Sequence, residues 1–138
     1  MYITKADFNT HIYAELITAI GRDDDTIINA AIAAAISEAK GYLSRYNVAE
    51  LLSAEDAERD PVLVMYIKDI ASWHFISLAN ANVDLELRKT RYEDAIRWLK
   101  NIQAGKVVYQ DWPIPTVDNK GDNDIWQIGS QPKRETRY

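Results

Sequence analysis

The chain has 138 residues, a formal net charge of −5 and no cysteine. This length fits one domain that buries a core without cross-links, and the lack of cysteine excludes disulfides, thiolate nucleophiles and cysteine-ligated zinc. The negative charge argues against non-specific binding to nucleic acid, which requires clustered Lys and Arg.

The sequence shows no signal for membrane insertion or export. No apolar run approaches the roughly 18 residues that a membrane-spanning helix needs. The segment Met1–Asp7 lacks the charged-then-apolar order of a signal peptide. We therefore expect a soluble protein made in the cytoplasm.

The N-terminal part predicts two short helices. Thr4 is a candidate cap for a first helix from about Lys5 to His11, with Asp7 as the acidic residue that reciprocates the cap. A second helix is predicted from Tyr13 to Ile20 because apolar residues recur at helical spacing and a glycine follows.

A long helix is predicted from Thr26 to Tyr46 because apolar residues recur at three- and four-residue steps. The members of this stripe are Ile28, Ile32, Ala35, Ala39, Tyr42, Leu43 and Tyr46. The preceding run Asp23-Asp24-Asp25 suits the positive end of the helix dipole. A calcium or magnesium site is the less favoured interpretation, since adjacent carboxylates diverge and no loop glycine follows.

The middle of the chain predicts a connection and then the central helix. The connection, residues 47–60, contains a weak capping pattern at Ser53 and Asp56. Asp60 followed by Pro61 is a stronger start signal, because proline loses nothing at the first helical position. The helix from Val62 to Ala79 is apolar nearly all round, which predicts a central helix or one with a face against another subunit.

The last predicted helix runs from Leu85 to Ala104, with Asp84 as its cap. Glu93 and Arg97 are spaced as a stabilising surface ion pair. Gly105 supplies the left-handed residue that commonly closes a helix.

Periodicity is lost after Gly105, and prolines and glycines prevent a long helix. We therefore predict an all-α fold: a bundle domain of about five helices, residues 1–105, and an extended, irregular C-terminal arm, residues 106–138. The arm is unusually rich in large apolar residues for a disordered tail, so it is suited to lie on its own body or on a partner. The predicted protein-interface residues are Tyr109, Trp112, Ile114, Trp126, Ile128 and Tyr138 in the arm, and Tyr66 and Trp73 in the central helix.

No catalytic, cofactor-binding or metal-binding residue is predicted. His74, between two aromatic residues, is interpreted as a hydrogen-bonded core or interface residue, since no serine-and-acid arrangement accompanies it. The acidic pairs Glu93-Asp94 and Asp56/Glu58 point apart on helical geometry. The basic end, residues 133–137, either touches phosphates or is a disordered tail, and the tail is favoured.

Several segments resemble a family of small proteins of Mu-like bacteriophages and prophages, encoded with head and tail morphogenesis genes and mostly without an assigned function. These segments are Tyr2–Phe8, Ala39–Tyr46, Asp69–His74 and, most specifically, Arg91–Leu99 through Gly105. The resemblance covers residues 2–107. The connection 47–60 is longer than in many relatives, and the acidic run lacks their interleaved glycines.

The resemblance implies a virion structural protein and not an enzyme. Such proteins are similar in size and helical layout to the head-completion adaptors of tailed phages, the head–tail connectors that form rings beneath the portal. The implied partners are other copies of the chain, the portal, and a tail or second adaptor protein. DNA is only cargo that passes through, and no membrane is involved. The implied location is the host cytoplasm during assembly and then the virion neck.

Two other interpretations remain open at this point. One is a non-enzymatic adaptor or regulatory protein that binds a host or phage protein as a monomer or dimer. The other is a metal-dependent hydrolase built on the acidic clusters, for which the residue spacing gives little support.

Overall fold

Helices make up most of the computed structural model, which describes residues 1–10, 25–79 and 85–116. Four α-helices lie within these ranges: α1 (Asp25–Tyr42), α2 (Val48–Leu51), α3 (Pro61–Ala79) and α4 (Leu85–Gln103), with 3-10 helices at Lys5–Thr10 and Asp56–Glu58. No strand occurs in these three ranges. The all-α prediction is confirmed for them, but the number of five helices is not, because the predicted helix Tyr13–Ile20 lies outside the described residues.

The helix α3 is the centre of the fold and packs mainly against α1 and α4. Its fully buried side chains face a core shared with both neighbours; they include Leu63, Ile67, Ile70, Ala71 and Phe75. From α1 the buried alanines Ala31, Ala35 and Ala39 allow the two helix backbones to approach closely. Each large apolar side chain buried here stabilises the fold by about 1.5–3 kcal/mol. None of the described helices has the length and apolar content required to cross a bilayer.

The start of α3 confirms the predicted Asp60-Pro61 signal. One carboxylate oxygen of Asp60 accepts hydrogen bonds from the backbone N–H groups of Val62 and Leu63, each at 2.9 Å. Pro61 occupies the first helical position, where a missing N–H costs no hydrogen bond.

The end of α4 confirms the predicted role of Gly105, which has a φ of 79°. The N–H of Lys106 donates to the carbonyl of Asn101, and the N–H of Gly105 donates to Ile102. These two bonds form a Schellman motif, which satisfies carbonyls that the helix end leaves open. The Arg45 side chain donates to a further carbonyl of this end, that of Gln103, at 3.2 Å.

At the N-terminus one half of the predicted capping box forms: the Asp7 carboxylate reciprocates, but the Asp7 N–H donates to the Thr4 carbonyl and the Thr4 hydroxyl itself donates to Asp7. The Asp7 carboxylate accepts from the Thr4 N–H at 2.7 Å. The helix that follows is a 3-10 helix, Lys5–Thr10, close to the predicted bounds.

Three further local predictions were wrong. The helix α1 ends at Tyr42, four residues early, although Tyr46 is still buried. The Ser53 hydroxyl caps nothing and donates to the Glu50 carbonyl; the cap of this region is Asn47, which accepts from the Glu50 N–H.

The third correction concerns the surface of α4. Arg97 pairs with Asp94 at 2.7 Å, and the predicted Glu93 pair is not formed. The i,i+3 partner is as near as the i,i+4 partner on a helix, so the spacing alone did not decide between them.

The two glycines that end long helices provide a matched test of the closure of α4. A Cβ added at Gly105 would lie 2.8 Å from the Arg45 guanidinium on a left-handed backbone, whereas a Cβ at Gly41 would meet nothing within 4 Å. We expect Gly105→Ala to lower the free energy of unfolding by about 1–2 kcal/mol. Gly41→Ala should raise it by about 0.5–1 kcal/mol. Urea denaturation measures both, and equal effects of the two substitutions would contradict this account of Gly105.

Candidate protein-interaction surface

Both ends of the described chain are tied to the start of α3 through Asp60. Its backbone N–H donates to the Tyr2 hydroxyl at 3.1 Å. Its second carboxylate oxygen accepts from the Trp112 indole N–H, also at 3.1 Å. One residue therefore caps the central helix and holds the N-terminal segment and the beginning of the predicted arm beside it.

Arg59 extends this junction by an ion pair with Asp7. Its guanidinium donates to both Asp7 carboxylate oxygens, at 2.8 and 3.1 Å, and to the Tyr2 carbonyl at 2.9 Å. Both charged side chains are less than one-fifth exposed, at 19% and 17%. The hydrogen bonds from Arg59 hold the pKa of Asp7 below its ordinary value. Burial raises the pKa of Tyr2 to about 12, so this phenol stays neutral beside the pair at physiological pH.

Next to the junction lies an aromatic cluster, which we define as Tyr46, Tyr66, Trp98, Tyr109 and Trp112. Its closest pairs are stacked: Tyr109 on Trp112, with ring centroids 4.3 Å apart, and Tyr66 on Trp98 at 4.7 Å. Tyr46 meets Trp112 edge to face at 5.0 Å. Such pairs contribute about 0.5–1.5 kcal/mol each beyond the area that they bury.

The cluster fixes the beginning of the predicted arm to the helical body. Trp112 is only 4% exposed. The Tyr109 N–H donates to the Tyr46 hydroxyl at 3.0 Å, and the Pro113 carbonyl accepts from the Asn47 N–H at 2.8 Å. Residues 106–113, which we call the arm root, therefore pack on the body, and residues 117–138 lie outside the described residues.

The predicted interface residues fall into three groups. Trp112 is buried in its own fold, so within the monomer it is a core residue and not a surface anchor. Tyr66, Trp73 and Tyr109 are half-buried, and Ile114 is 69% exposed. The other three, Trp126, Ile128 and Tyr138, lie outside the described residues, and an interface role for the set stays a prediction.

Four exposed apolar side chains are close in sequence to members of the aromatic cluster. We define the apolar patch as Val62, Met65, Val108 and Ile114, which are 37% to 69% exposed. Each member lies within four residues of a cluster member along the chain. Exposed large apolar side chains that form a group are typical of protein-interaction sites, whereas single ones are ordinary.

A groove of about 510 Å³ runs between the connection and the arm root. Its floor includes the buried side chains of Leu51 and Trp112. Its carboxylates are Glu50, Glu58, Asp60 and Asp111, and its one cationic side chain is Arg59, which is already paired with Asp7. We call this feature the acidic groove.

Two further polar contacts link helices to one another. His74 lies 2.7 Å from one carboxylate oxygen of Glu38, and the Tyr92 hydroxyl donates to the other at 2.7 Å. Asp69 of α3, nearly buried, pairs with Arg91 of α4 at 3.1 Å. The prediction that His74 is hydrogen-bonded within the fold is confirmed, and the Glu38 carboxylate that it contacts joins α1, α3 and α4.

The other candidates for chemistry occupy the surface. Glu93, Asp94, Asp56 and Glu58 are all exposed. Within the described parts of the chain, no group of three or more side chains is placed to hold a metal ion. Asp23 and Asp24 of the acidic run lie outside those parts, and Asp25 pairs with Lys5 at 2.6 Å.

Sequence reasoning missed the two polar centres of the fold. Arg59 pairs with Asp7, which lies 52 residues away along the chain. Glu38 contacts His74 and Tyr92, which lie 36 and 54 residues away. Neither helical periodicity nor a capping pattern reports on contacts at such separations.

One family model, described as Bacteriophage Mu, Gp36, matches residues 2–112. The match agrees with the resemblance proposed for residues 2–107 and extends it through Trp112. No curated protein and no solved structure matches the chain.

Asp60 and Trp112 allow a test of the junction by a double-mutant cycle. Asp60→Asn keeps an oxygen for the helix cap, so we expect it to cost about 1 kcal/mol, and Asp60→Ala about 2 kcal/mol or more. Combined with Trp112→Phe, Asp60→Asn should show a coupling energy of about 1 kcal/mol in urea denaturation. The same cycle with Trp73→Phe is the control, and strictly additive effects at Asp60 and Trp112 would rule out the indole hydrogen bond.

The Asp7–Arg59 pair predicts a pH dependence of stability. Because the folded-state pKa of Asp7 is lowered from 3.8, the pair stabilises fully above pH ~5, and this stability is lost as the pH falls through 3.8 and then through the folded-state pKa. We expect Asp7→Asn to cost ~2 kcal/mol at neutral pH and progressively less below pH ~4. Thermal or urea unfolding between pH ~2.5 and ~7 measures this difference. A destabilisation of the variant that does not change across that range would contradict the lowered pKa.

Proposed function

The chain belongs to the bacteriophage Mu Gp36 family, and on this premise we propose that it is a virion structural protein that acts as a head–tail connector. Several copies assemble into a ring at the neck and dock through their C-terminal arms. In this role the protein binds other proteins and carries out no catalysis.

The observation that supports the proposal most directly is the apolar patch beside the arm root. Val62 and Met65 lie on the first turns of α3, Val108 lies on the arm root, and Ile114 directly follows the arm root. The arm root is fastened to the body by Trp112, so the patch has a fixed shape. A surface of this kind needs no reorganisation before it binds, which favours association.

A ring requires that one surface of each copy meet a different surface of the next. The outer face of α1 offers a second surface: Ala30, Ala33, Ala34 and Ser37 are exposed there at helical spacing. Small side chains allow the backbone of a neighbouring element to approach. Packing of the apolar patch against this face of the next copy would produce a contact that repeats around a ring.

The charge of the chain is compatible with a channel for DNA. The net charge is −5, and exposed carboxylates such as Glu86 and Glu93 lie outside the lining of the acidic groove. An acidic wall repels phosphates, so DNA would pass without being held.

A second candidate function is a non-enzymatic adaptor that binds one host or phage protein as a monomer or dimer. The exposed members of the apolar patch support this candidate as well, since such side chains can contact one partner molecule as readily as a neighbouring copy. The apolar patch would then serve a single partner.

Co-purification with the portal protein of the same phage tests the proposal. We expect the chain to bind the portal as a multi-copy ring visible by electron microscopy. Met65→Glu should weaken assembly at least about tenfold, because it places a charge in the contact. Leu85→Glu is the control, because Leu85 is more exposed than Met65, at 51% against 39%. It lies at the start of α4, whereas the arm root follows the end of that helix.

The outcomes of this experiment separate the two candidates. A complex with one or two copies of the chain favours the adaptor. No complex with the portal in any state of assembly, or equal effects of the two substitutions, contradicts the connector. Truncation of the arm should begin after Thr116, because removal at Gly105 would also remove Trp112 from the core.

A further inference from the structure

The acidic groove is open on the surface and combines an apolar floor with a charged rim. Leu51 and Trp112, at 6% and 4% exposure, form part of its floor. Glu50, Glu58 and Asp111 on its rim are exposed. A groove with this lining selects a segment that carries both an apolar side chain and positive charge.

The rim charges are not neutralised by the body. Glu58 and Asp111 form no ion pair within residues 1–10, 25–79 and 85–116. The one cation in the lining, Arg59, is occupied by Asp7, and Asp60 is used by the helix cap and the indole. The groove therefore presents a negative potential that the described residues do not neutralise.

The sequence beyond the described residues contains a segment of complementary chemistry. Residues 133–138 read Lys-Arg-Glu-Thr-Arg-Tyr, with three cations, one carboxylate side chain and a terminal aromatic ring. We propose that the acidic groove of one copy receives the C-terminal segment, residues 133–138, of a neighbouring copy. The cations face Glu58 and Asp111, and the Tyr138 ring lies on the apolar floor.

The position at which the described chain ends is consistent with an exchange between copies. Thr116 lies three residues after Pro113, which lines the groove. The 22 residues that follow span at most about 75 Å when extended, which is enough to cross to a neighbouring protomer. In a ring every copy then contributes one groove and one tail to successive contacts, which is the head-to-tail arrangement that closure needs. This inference rests on the proposed ring and identifies the surface that receives the arm.

A peptide experiment tests the groove without requiring that a ring form. The probe is a fluorescently labelled synthetic peptide of residues 129–138, and the receptor is the full-length chain with Lys133→Glu, Arg134→Glu and Arg137→Glu, which disables its own tail. We expect saturable binding by fluorescence anisotropy that weakens at least about tenfold when salt is raised from about 50 to about 500 mM.

Matched charge variants in the same receptor locate the site. Glu58→Lys with Asp111→Lys should weaken binding of the peptide at least about tenfold. Glu86→Lys with Glu93→Lys makes the same charge change at exposed positions of α4 and should have no more than about a twofold effect. A peptide with Glu at the three basic positions should bind the Glu58→Lys/Asp111→Lys receptor more tightly than the unsubstituted groove.

Three results would overturn the inference. The first is no binding of the peptide at low salt, and the second is an equal loss with the two receptor variants. The third is binding to the tail-disabled chain at least about tenfold tighter than to the dilute wild-type monomer, since it would show that each tail occupies its own groove. Peptide binding in the groove together with failure of the portal experiment would reject the connector function and leave the groove assignment standing.

Discussion

The fold depends on one short stretch of chain, Arg59 and Asp60, at the start of the central helix. Asp60 caps that helix, accepts from Trp112 and donates to Tyr2, while Arg59 pairs with Asp7 at distances of 2.8 and 3.1 Å. These groups lie more than 50 residues apart in sequence, so their contacts order the N-terminal segment and the arm root only when the whole bundle has formed. Polar groups that are partly withdrawn from water and fully paired in this way specify one arrangement of the chain, because any other would leave them unpaired.

Because Asp60 binds Trp112, the first part of the C-terminal arm belongs to the folded body. As a sequence it is an irregular, aromatic segment, and its first part is in fact an integral portion of the core, with Trp112 stacked on Tyr109 and bonded to Asp60. The arm root is therefore fastened to the body. Val108 and Ile114 are exposed and lie within two residues of the anchored rings of Tyr109 and Trp112. Under the proposed function, anchoring and binding belong to different residues of one segment.

Local signals in the sequence predicted the local structure well. The Asp60-Pro61 start, the left-handed Gly105 and the apolar stripe of α1 each depend on neighbours within one or two helical turns, and each is confirmed. The predictions failed where near-equivalent candidates competed. Arg97 pairs with Asp94 and not with Glu93, and the cap is Asn47 and not Ser53. The junction at Arg59 and the Glu38–His74–Tyr92 network involve residues brought together only by tertiary packing, so no periodicity or motif within one segment could have indicated them.

The central claim is that the apolar patch beside the arm root is covered by another protein molecule in the assembled virion. Site-specific photo-crosslinking from position 108, with a photoreactive amino acid in place of Val108, tests this claim most directly in assembled particles. The account predicts covalent adducts that join two copies of the chain, or the chain and the portal, through this position. Particles that assemble with tails attached but yield only uncrosslinked chain would contradict it.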